Sequence, residues 1–250
     1  MKPIALQLYT LREAAAKDFV GVLKQVAEVG YKGVELAGTH GMSADELGDI
    51  LDDLGLEVCS SHGPMPTEEN ADEQIELADI LGYDYLITGF GPDQFSTIAG
   101  AKEAAAKFEE GSAVLSESGL ILGCHNHWWE FTTTEGQLPY QVLMDEAPSI
   151  VGQIDVYWAQ TGGQNAAEMV ARFKDRVPLL HLKDGPAKQG VPMTAVGSGT
   201  LDMPAIVKAA DPEVLEWLIV ELDDCATDMF GAVVDSYKYL TSNKLAVGNK

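Results

Sequence analysis

Eight short runs rich in β-branched residues or leucine recur along the chain, and longer segments with helical spacing separate them. The predicted strands cover residues 4–9, 33–36, 57–60, 85–88, 120–124, 151–156, 179–182 and 217–221. Their spacing of roughly 25 to 40 residues is about one strand–helix unit each. The hydrophobic pattern therefore predicts a regular β-then-α alternation from one end of the chain to the other.

The segments between the strands carry helix signals. In residues 19–29 the apolar side chains recur at helical spacing, at Phe19, Val22, Leu23, Val26 and Val29. Ser43 followed by Glu46 forms a capping box, which predicts the start of a helix that ends near residues 54–55. Further helices are predicted over residues 101–115, 166–173, 204–209 and 229–240, and the tail 247–250 is predicted to be frayed.

Strict alternation implies parallel strands with helices outside them. Eight units in 250 residues favour an α/β fold made of one closed (β/α)₈ TIM barrel over an open doubly wound sheet. The open sheet would need a Gly-rich turn after its first strand, but residues 8–12 read Leu-Tyr-Thr-Leu-Arg. No linker or second domain is visible, so residues 1–250 are predicted to form a single domain.

Composition narrows the possible partners. The chain has 16 basic and 39 acidic residues and a formal net charge of −23. Nucleic acid is then a poor partner, because binding phosphates requires a basic surface. Arg12, Arg172 and Arg176 are the only arginines, which weakens the case for a phosphate clamp. A neutral small molecule is the better expectation, and a homo-oligomer is compatible with these features.

Location follows from similar arguments. No apolar run approaches the roughly 18 residues of a membrane span. The first residues pass directly into a predicted strand and leave no room for a signal peptide. The three cysteines, Cys59, Cys124 and Cys225, are scattered and odd in number, which fits a reducing compartment rather than a disulfide framework. We therefore expect a cytoplasmic protein that does not associate with membranes.

Polar residues collect where the predicted strands end. In a barrel of this kind the chemistry lies at the carboxyl ends of the strands. All five histidines fall at or just after such ends, at His40, His62, His125, His127 and His181. Carboxylates take similar positions at Glu35, Asp155 and Glu221. This placement predicts an active site at one end of the barrel.

Strands 5 to 8 are neighbours in such a barrel, and they end in His125, Asp155, His181 and Glu221. Two imidazoles and two carboxylates suit a divalent metal cation, with Mn²⁺ the first choice and Co²⁺, Zn²⁺ or Mg²⁺ as alternatives. Cys124 precedes His125 in an alternating strand and should point away from the site.

Each of these residues also has a purely structural interpretation. His181 lies between leucines and can be a hydrogen-bonded core histidine, and Glu35 can simply pair with a lysine. Asp155 and Glu221 lie in apolar strands, where an unpaired carboxylate is costly to bury, and this favours function. Trp128, Trp129 and Trp158 can be packing residues, although an indole at a strand end also offers a stacking surface for a sugar ring. The combination is more specific than any single member.

The chain resembles the xylose isomerase-like TIM-barrel superfamily, often labelled sugar phosphate isomerases/epimerases, over its whole length. The resemblance rests on residues 33–36 (Gly-Val-Glu-Leu), 125–131 (His-Asn-His-Trp-Trp-Glu-Phe), 154–158 (Ile-Asp-Val-Tyr-Trp), 181–184 (His-Leu-Lys-Asp), 196–202 (Val-Gly-Ser-Gly-Thr-Leu-Asp) and 220–221 (Val-Glu). The His-Asn-His-x-x-Glu-Phe string together with the His-Leu-Lys-Asp string is a specific pairing within the superfamily.

In ketose epimerases and hydroxypyruvate isomerases of this superfamily, a Glu-Asp-His-Glu quartet binds the metal, and its glutamates move protons on opposite faces of the substrate. Asp155, His181 and Glu221 match the last three members, whereas His125 stands in the place of the first glutamate. An imidazole is a poor substitute for that carboxylate base. The branch with the histidine string resembles inosose dehydratases and lyases or hydratases of 3-keto sugars, whose reactions also begin with proton abstraction α to a carbonyl.

The resemblance and the residues together predict a divalent-metal-dependent sugar isomerase or epimerase that acts on a keto sugar or polyol through an enediolate. A dehydratase or lyase of an inosose or 3-keto glycoside is the alternative. Glu221 or His127 is the predicted base, and Glu130 or Lys183 the predicted proton donor or relay. Substrate contacts are predicted at Glu35, His62, Asn126, Trp128 and Trp158.

Two more distant alternatives remain open. An apurinic endonuclease-like phosphodiesterase would need further metal ligands and a basic face for DNA, and the charge of −23 counts against it. A sugar-binding barrel without metal would have no need for Asp155, His181 and Glu221 together.

Overall fold

Eight parallel strands close into a barrel in the computed structural model, which describes residues 1–250. The strands are β1 (Lys2–Gln7), β2 (Gly33–Leu36), β3 (Glu57–His62), β4 (Tyr85–Thr88), β5 (Ile121–His125), β6 (Val151–Asp155), β7 (Leu179–Leu182) and β8 (Trp217–Val220). Each strand pairs in parallel with the next, and β1 pairs with both β2 and β8. The predicted single (β/α)₈ barrel is confirmed.

The strands are apolar because they are covered on both faces, as parallel sheets require. Every residue of β2 and β7 is buried. Between the strands and the outer helices lies a continuous core cluster of 62 buried residues. A second, smaller cluster combines residues from β1, β3, β4, β7 and β8, and its members are Ala5, Cys59, Tyr85, Ile87, Leu179 and Ile219.

Helices surround the barrel and follow their sequence signals closely. They are α1 (Arg12–Ala15), α2 (Phe19–Val29), α3 (Ala44–Leu54), α4 (Ala71–Leu81), α5 (Ile98–Val114), α6 (Pro139–Glu146), α7 (Val156–Thr161), α8 (Ala166–Phe173), α9 (Met203–Ala209) and α10 (Met229–Ser242). The predicted cap of α3 is present, because Ser43 Oγ accepts from the Glu46 N–H at 3.3 Å. Gly55 ends this helix with a φ of 64°, a conformation that glycine adopts without strain. No helix combines the length and apolarity that crossing a membrane requires.

Four helices were not predicted: the four-residue α1 and three others, each of which has a weak signal. The buried side chains of α4 are only Ala71, Gln74 and Ala78, so little apolar periodicity marks it. Helix α6 is short and begins at a proline. Helix α7 follows β6 without a loop, because the Asp155 side chain accepts the Trp158 N–H at 2.9 Å and caps the helix. The predicted strand 151–156 therefore ends one residue early.

Strand β1 ends at Gln7 rather than at the predicted residue 9. Residues Leu8–Leu11 form a 3₁₀ turn, and the Gln7 side-chain oxygen accepts the Tyr9 N–H at 3.0 Å. The turn packs against the segment after β8, where Thr10 Oγ1 accepts the Leu222 N–H at 3.1 Å.

The prediction of a frayed tail was wrong. Residues Ala246–Val247 form a ninth strand, β9, that pairs with the start of β1. The Asn249 N–H donates to the Gly30 carbonyl at 2.7 Å, and the Tyr237 hydroxyl donates to the Lys250 carbonyl at 2.9 Å. The polar composition of the tail concealed these long-range partners, which hold the end of the chain against β1 and α10.

Candidate active site

Four buried side chains converge at the carboxyl end of the barrel. His125, Asp155 and His181 end or lie near the end of β5, β6 and β7, and Glu221 follows β8 directly. One potential ligand atom from each lies within 4.8 Å of the others. The register explains the convergence, because Asp155 is paired with His181 across β6 and β7. The strand-end rule therefore brings together the four residues that were predicted to bind metal.

The chemistry of this quartet fits a divalent cation. Two imidazole nitrogens and two carboxylates form the mixed N/O set that Mn²⁺, Zn²⁺ and similar ions accept. One oxygen of Asp155 is used to cap α7, while Asp155 Oδ2 is buried and accepts no hydrogen bond of normal geometry. Its nearest charged neighbour is Lys183 Nζ at 3.1 Å, a charge contact without hydrogen-bond alignment. A buried carboxylate oxygen with no hydrogen-bond donor is suited to a metal ion.

His181 lies between two carboxylates. Its Nδ1 is 2.7 Å from Glu221 Oε2, and its Nε2 is 2.5 Å from Glu35 Oε2. Burial disfavours a charged ring, but the two carboxylates outweigh burial and raise the pKa of His181 to about 10. His181 is therefore an imidazolium at neutral pH when the carboxylates are its only partners.

Glu35 is fully buried behind His181. Gln7 Nε2 and Ser60 Oγ donate to it at 2.7 Å each, and Gln153 Nε2 donates at 2.5 Å. Burial alone would raise the pKa of Glu35, yet the nearby rings of His181 and His62 hold that pKa well below its usual range. Protein groups thus occupy both carboxylate oxygens, and a contact between Glu35 and substrate stays a prediction.

Lys183 is buried and faces three carboxylates. Its Nζ is 2.8 Å from Glu221 Oε2, 3.1 Å from Asp155 Oδ2 and 2.8 Å from Asp223 Oδ2. Burial would lower the pKa of Lys183, but these carboxylates raise it well above its usual range. The Trp158 ring lies on another side, with its centroid 5.7 Å from Nζ. Lys183 is thus a buried ammonium group beside the quartet.

Gln153 links two histidines. Its side-chain oxygen is 2.9 Å from His62 Nε2 and 3.1 Å from His125 Nδ1. His62 lies at the end of β3, and its ring stacks on that of His181 with centroids 5.7 Å apart. His62, which was predicted to contact substrate, is the more exposed of these groups, with 28% of its side chain accessible.

The string that follows β5 is held by its own hydrogen bonds. Asn126 is buried, and its side chain bonds the Asp155 backbone, with the Asp155 N–H donating to Oδ1 at 2.9 Å. Asn126 therefore positions β6, and the predicted contact with substrate stays untested. Glu130 is buried and accepts the His127 N–H at 2.8 Å, and burial raises its pKa to about 8. The loop thus places His127 over a carboxyl group that keeps its proton at neutral pH.

His127 differs from the other histidines of the site. Burial, together with the charge of Lys183, lowers its pKa to about 4, so the ring is neutral at pH 7. Its Nδ1 is buried without a hydrogen-bond partner. The ring stacks on Trp129 with centroids 4.3 Å apart. A neutral imidazole with an unpartnered nitrogen is suited to accept a proton.

Indole rings line one side of the site. Trp128 and Trp158 approach each other with centroids 4.9 Å apart, and both lie near His127. Trp129 is fixed by a hydrogen bond from its Nε1 to the Phe90 carbonyl at 3.1 Å. All three are partly exposed, so the wall combines packing with an accessible aromatic surface.

One of the five histidines does not belong to the site. His40 is exposed, has a φ of 53° and stacks on Phe19 with centroids 4.3 Å apart. It lies in the loop four residues beyond the end of β2, so the loop rather than the strand decides its position. His40 was counted among the histidines near strand ends but was given no role, and it lies outside the cluster formed by the other four.

Several supporting residues were missed from the sequence. Gln153 alternates with Asp155 along β6, and period-two spacing places both on the inner face, a signal that would have found it. Asp184 organises the loop after β7, because its carboxylate accepts four backbone N–H groups, from Gly185, Gly197, Gly199 and Leu201. Asp223, two residues after Glu221, was also not assigned a role from the sequence.

Comparison with known proteins identifies the family of this barrel. Residues 23–239 match the family described as xylose isomerase-like TIM barrel. No curated protein matches the chain. A crystal structure of a sugar phosphate isomerase/epimerase from Parabacteroides distasonis is 25% identical, covers 99% of this chain and 100% of its own, and has a TM-score of 0.81.

Two more distant structures share the fold. The probable 3-DHS dehydratase AsbF from Bacillus anthracis is 14% identical, with a TM-score of 0.75 and coverage of 96% of this chain and 99% of its own. The IOLI protein with a bound zinc atom is 13% identical, with a TM-score of 0.71 and coverage of 98% of each chain. The family match spans most of the barrel, and the chain belongs to the xylose isomerase-like TIM-barrel family.

Proposed function

We propose that the protein is a divalent-metal-dependent sugar isomerase or epimerase that deprotonates a keto sugar or polyol at the carbon next to the carbonyl. One observation carries the proposal: four strands that are consecutive around the barrel place two imidazoles and two carboxylates within 4.8 Å of one another. The similarity to a sugar phosphate isomerase/epimerase at 25% identity supports the same class of reaction.

The residues that would hold the ion are His125, Asp155, His181 and Glu221. When bound, a divalent cation polarises a substrate carbonyl and stabilises the negative charge that develops after deprotonation. Mn²⁺ is our first choice from the mixed N/O ligands, and the zinc atom in the IOLI protein supports Zn²⁺ as an alternative. Glu35 supports this centre, because a carboxylate on one ring nitrogen orients the other nitrogen of His181.

His127 is the better of the two predicted bases. A neutral ring with a pKa of about 4 and an unpartnered Nδ1 can accept a proton at pH 7. Burial favours protonation of Glu221, but contacts with Lys183 and His181 outweigh it and hold the pKa of Glu221 well below its usual range. Glu221 belongs to the proposed metal quartet, so we assign it to the ligands and assign proton abstraction to His127, which lies outside the quartet.

Lys183 is the proposed proton donor. Its ammonium is charged and lies 5.7 Å from the centroid of the Trp158 ring, on the side of the aromatic wall. Glu130 also carries a proton at neutral pH, because burial raises its pKa to about 8. However, the Glu130 side chain is fully buried beneath the His127 backbone, so we assign it to holding the loop and to any relay through His127.

The same arrangement supports a dehydratase or lyase as the second candidate. A neutral imidazole and an ammonium are an unlike pair, with one group fitted to remove a proton and the other to protonate a departing hydroxyl. A symmetric epimerase would use two similar bases on opposite faces of the substrate. His125 in place of a carboxylate adds to this asymmetry.

The substrate we propose is a neutral polyol or keto sugar. Trp128 and Trp158 offer partly exposed indole faces for a sugar ring beside His127 and Lys183. The three cysteines are free, which favours a reducing compartment, and we propose the cytoplasm as the location.

Incubation in D₂O tests the proposed reaction. We expect Mn²⁺-loaded protein to introduce deuterium at carbon in one member of a panel of ketoses, inososes and 3-keto glycosides, followed by mass spectrometry and NMR. A retained molecular formula identifies isomerisation or epimerisation, and loss of water or aglycone identifies the second candidate. Chelator-treated protein is the control. Absence of exchange in every substrate with metal present would contradict deprotonation at carbon.

A further inference from the structure

Lys183 places a positive charge among the carboxylates that would hold a metal. Its ammonium is 3.1 Å from Asp155 Oδ2 and 2.8 Å from Glu221 Oε2, and both carboxylates belong to the proposed quartet. The Lys183 side chain is 1% exposed, so water screens these contacts little. A divalent cation and this ammonium would therefore compete for the same two oxygens, Asp155 Oδ2 and Glu221 Oε2.

The third partner of Lys183 lies outside the quartet. The contact with Asp223 Oδ2 at 2.8 Å has hydrogen-bond geometry, whereas the contacts with Asp155 and Glu221 are charge contacts only. Asp223 is more exposed, with 34% of its side chain accessible. It therefore offers the ammonium a partner that a metal in the quartet would leave free.

The position of Asp223 is itself fixed by the turn that follows the neighbouring strand β1. Arg12 Nη2 donates to the Asp223 carbonyl at 2.7 Å, and Arg12 Nη1 donates to the Tyr9 carbonyl at 3.0 Å. The Arg12 guanidinium also lies over the Tyr9 ring, 4.3 Å from its centroid. The turn after β1 thus holds the backbone after β8 in place, and with it the carboxylate that faces Lys183.

We propose that Lys183 acts as an internal cation that competes with the metal, and that Asp223 is the positioning residue that receives its ammonium when the metal binds. In the absence of metal the ammonium offsets the repulsion between Asp155 and Glu221 and keeps the quartet assembled. Without metal, the Lys183 ammonium faces three carboxylates, those of Asp155, Glu221 and Asp223. When an ion binds, a short movement of the Lys183 side chain leaves its ammonium in contact with Asp223 alone. This inference rests on the metal centre proposed above.

Competition between the ammonium and the metal predicts the direction in which metal affinity changes when each charge is removed. Removal of the ammonium leaves the buried carboxylates of Asp155 and Glu221 without a positive partner. Their negative charge is then uncompensated, which strengthens metal binding. Removal of the Asp223 charge leaves the ammonium without a partner outside the quartet, so it repels the ion at close range. The effect of Asp223 must therefore depend on the presence of Lys183, which a general effect of negative charge near the site would not require.

Titration of chelator-treated protein with Mn²⁺ alone tests this inference by isothermal calorimetry. We expect Lys183→Met to bind Mn²⁺ roughly tenfold more tightly than the unaltered chain, and Asp223→Asn to bind it roughly tenfold more weakly. A change of about tenfold in affinity is what the loss of one charge contact of a few ångströms produces in a partly screened site. In the Lys183→Met/Asp223→Asn double variant the affinity should return close to that of Lys183→Met. Lys183→Gln provides a second, polar replacement if the methionine variant does not fold.

The matched controls carry the same charge changes near the site. Asp224→Asn removes the neighbouring carboxylate while it keeps an acceptor for the Met193 N–H, and Lys17→Met removes an exposed cation near the same loop. Both should change affinity by less than about threefold, because exposed charges are screened. Unchanged or weaker binding in Lys183→Met, or additive effects in the double variant, would overturn the inference while the proposed metal centre stands. No Mn²⁺ binding to the unaltered chain would overturn both.

Discussion

Replacement of His181 by alanine should abolish Mn²⁺ binding and destabilise the folded chain by about 3–5 kcal/mol. The ring is fully buried and joins Glu35 to Glu221 through contacts of 2.5 and 2.7 Å. Without it, two buried carboxylates face each other without their shared cation, and a proposed metal ligand is lost as well. Chemical denaturation would measure the change in unfolding free energy, and calorimetric titration would measure the loss of metal.

A histidine outside the site provides the control. His40→Asn retains a residue type that tolerates a φ of 53° and removes a ring that is exposed. It should leave metal affinity unchanged and alter stability by less than about 1 kcal/mol. A His181→Ala variant that is as stable as His40→Asn, or that binds Mn²⁺ as tightly as the unaltered chain, would contradict the central position of His181.

Replacement of His127 by alanine should lower kcat by about 10²- to 10⁴-fold and leave Mn²⁺ affinity within a few-fold of the unaltered chain. His127 is adjacent to the quartet but not part of it, and its Nδ1 has no partner in the protein. Loss of the ring would remove the proposed base without disturbing the ligands. Steady-state kinetics on the substrate identified by deuterium exchange, together with metal titration, would separate the two effects.

His125→Ala is the matched variant for this experiment, because it removes an imidazole two residues earlier in the same strand end. It should weaken Mn²⁺ binding by at least about tenfold, since a ligand is lost. The opposite pattern, with metal lost in His127→Ala and retained in His125→Ala, would invert the proposed roles of the two histidines.

Much of the site could be predicted because strands impose a simple geometry on the sequence. Side chains alternate across a strand, and the carboxyl ends of parallel strands meet at one face of a barrel. His125, Asp155 and His181 are polar residues in otherwise apolar strands, and these two rules bring them together. Local signals also located helix ends, as the Ser43 cap shows.

Contacts between distant parts of the chain could not be predicted in the same way. The bond between Glu35 and His181 joins residues 146 positions apart, and the bond between Arg12 and the Asp223 carbonyl joins residues 211 positions apart. Whether a strand-end carboxylate meets open space or a buried partner depends on the side chains of the opposite strands. His40 shows the reverse case, because a few loop residues after β2 are enough to remove it from the site.

Calorimetric titration of the metal-free protein with Mn²⁺ between pH 7 and pH 9, above the pKa of about 6 to which burial raises Asp155, tests the metal centre most directly. The pKa of His181 is about 10, so the ring carries a proton throughout this range and must release it to become a ligand. We predict one ion per chain, release of close to one proton, and affinity that rises about tenfold per pH unit until the pH approaches 10. Absence of Mn²⁺ binding, or an affinity that does not change across this range, would contradict the account.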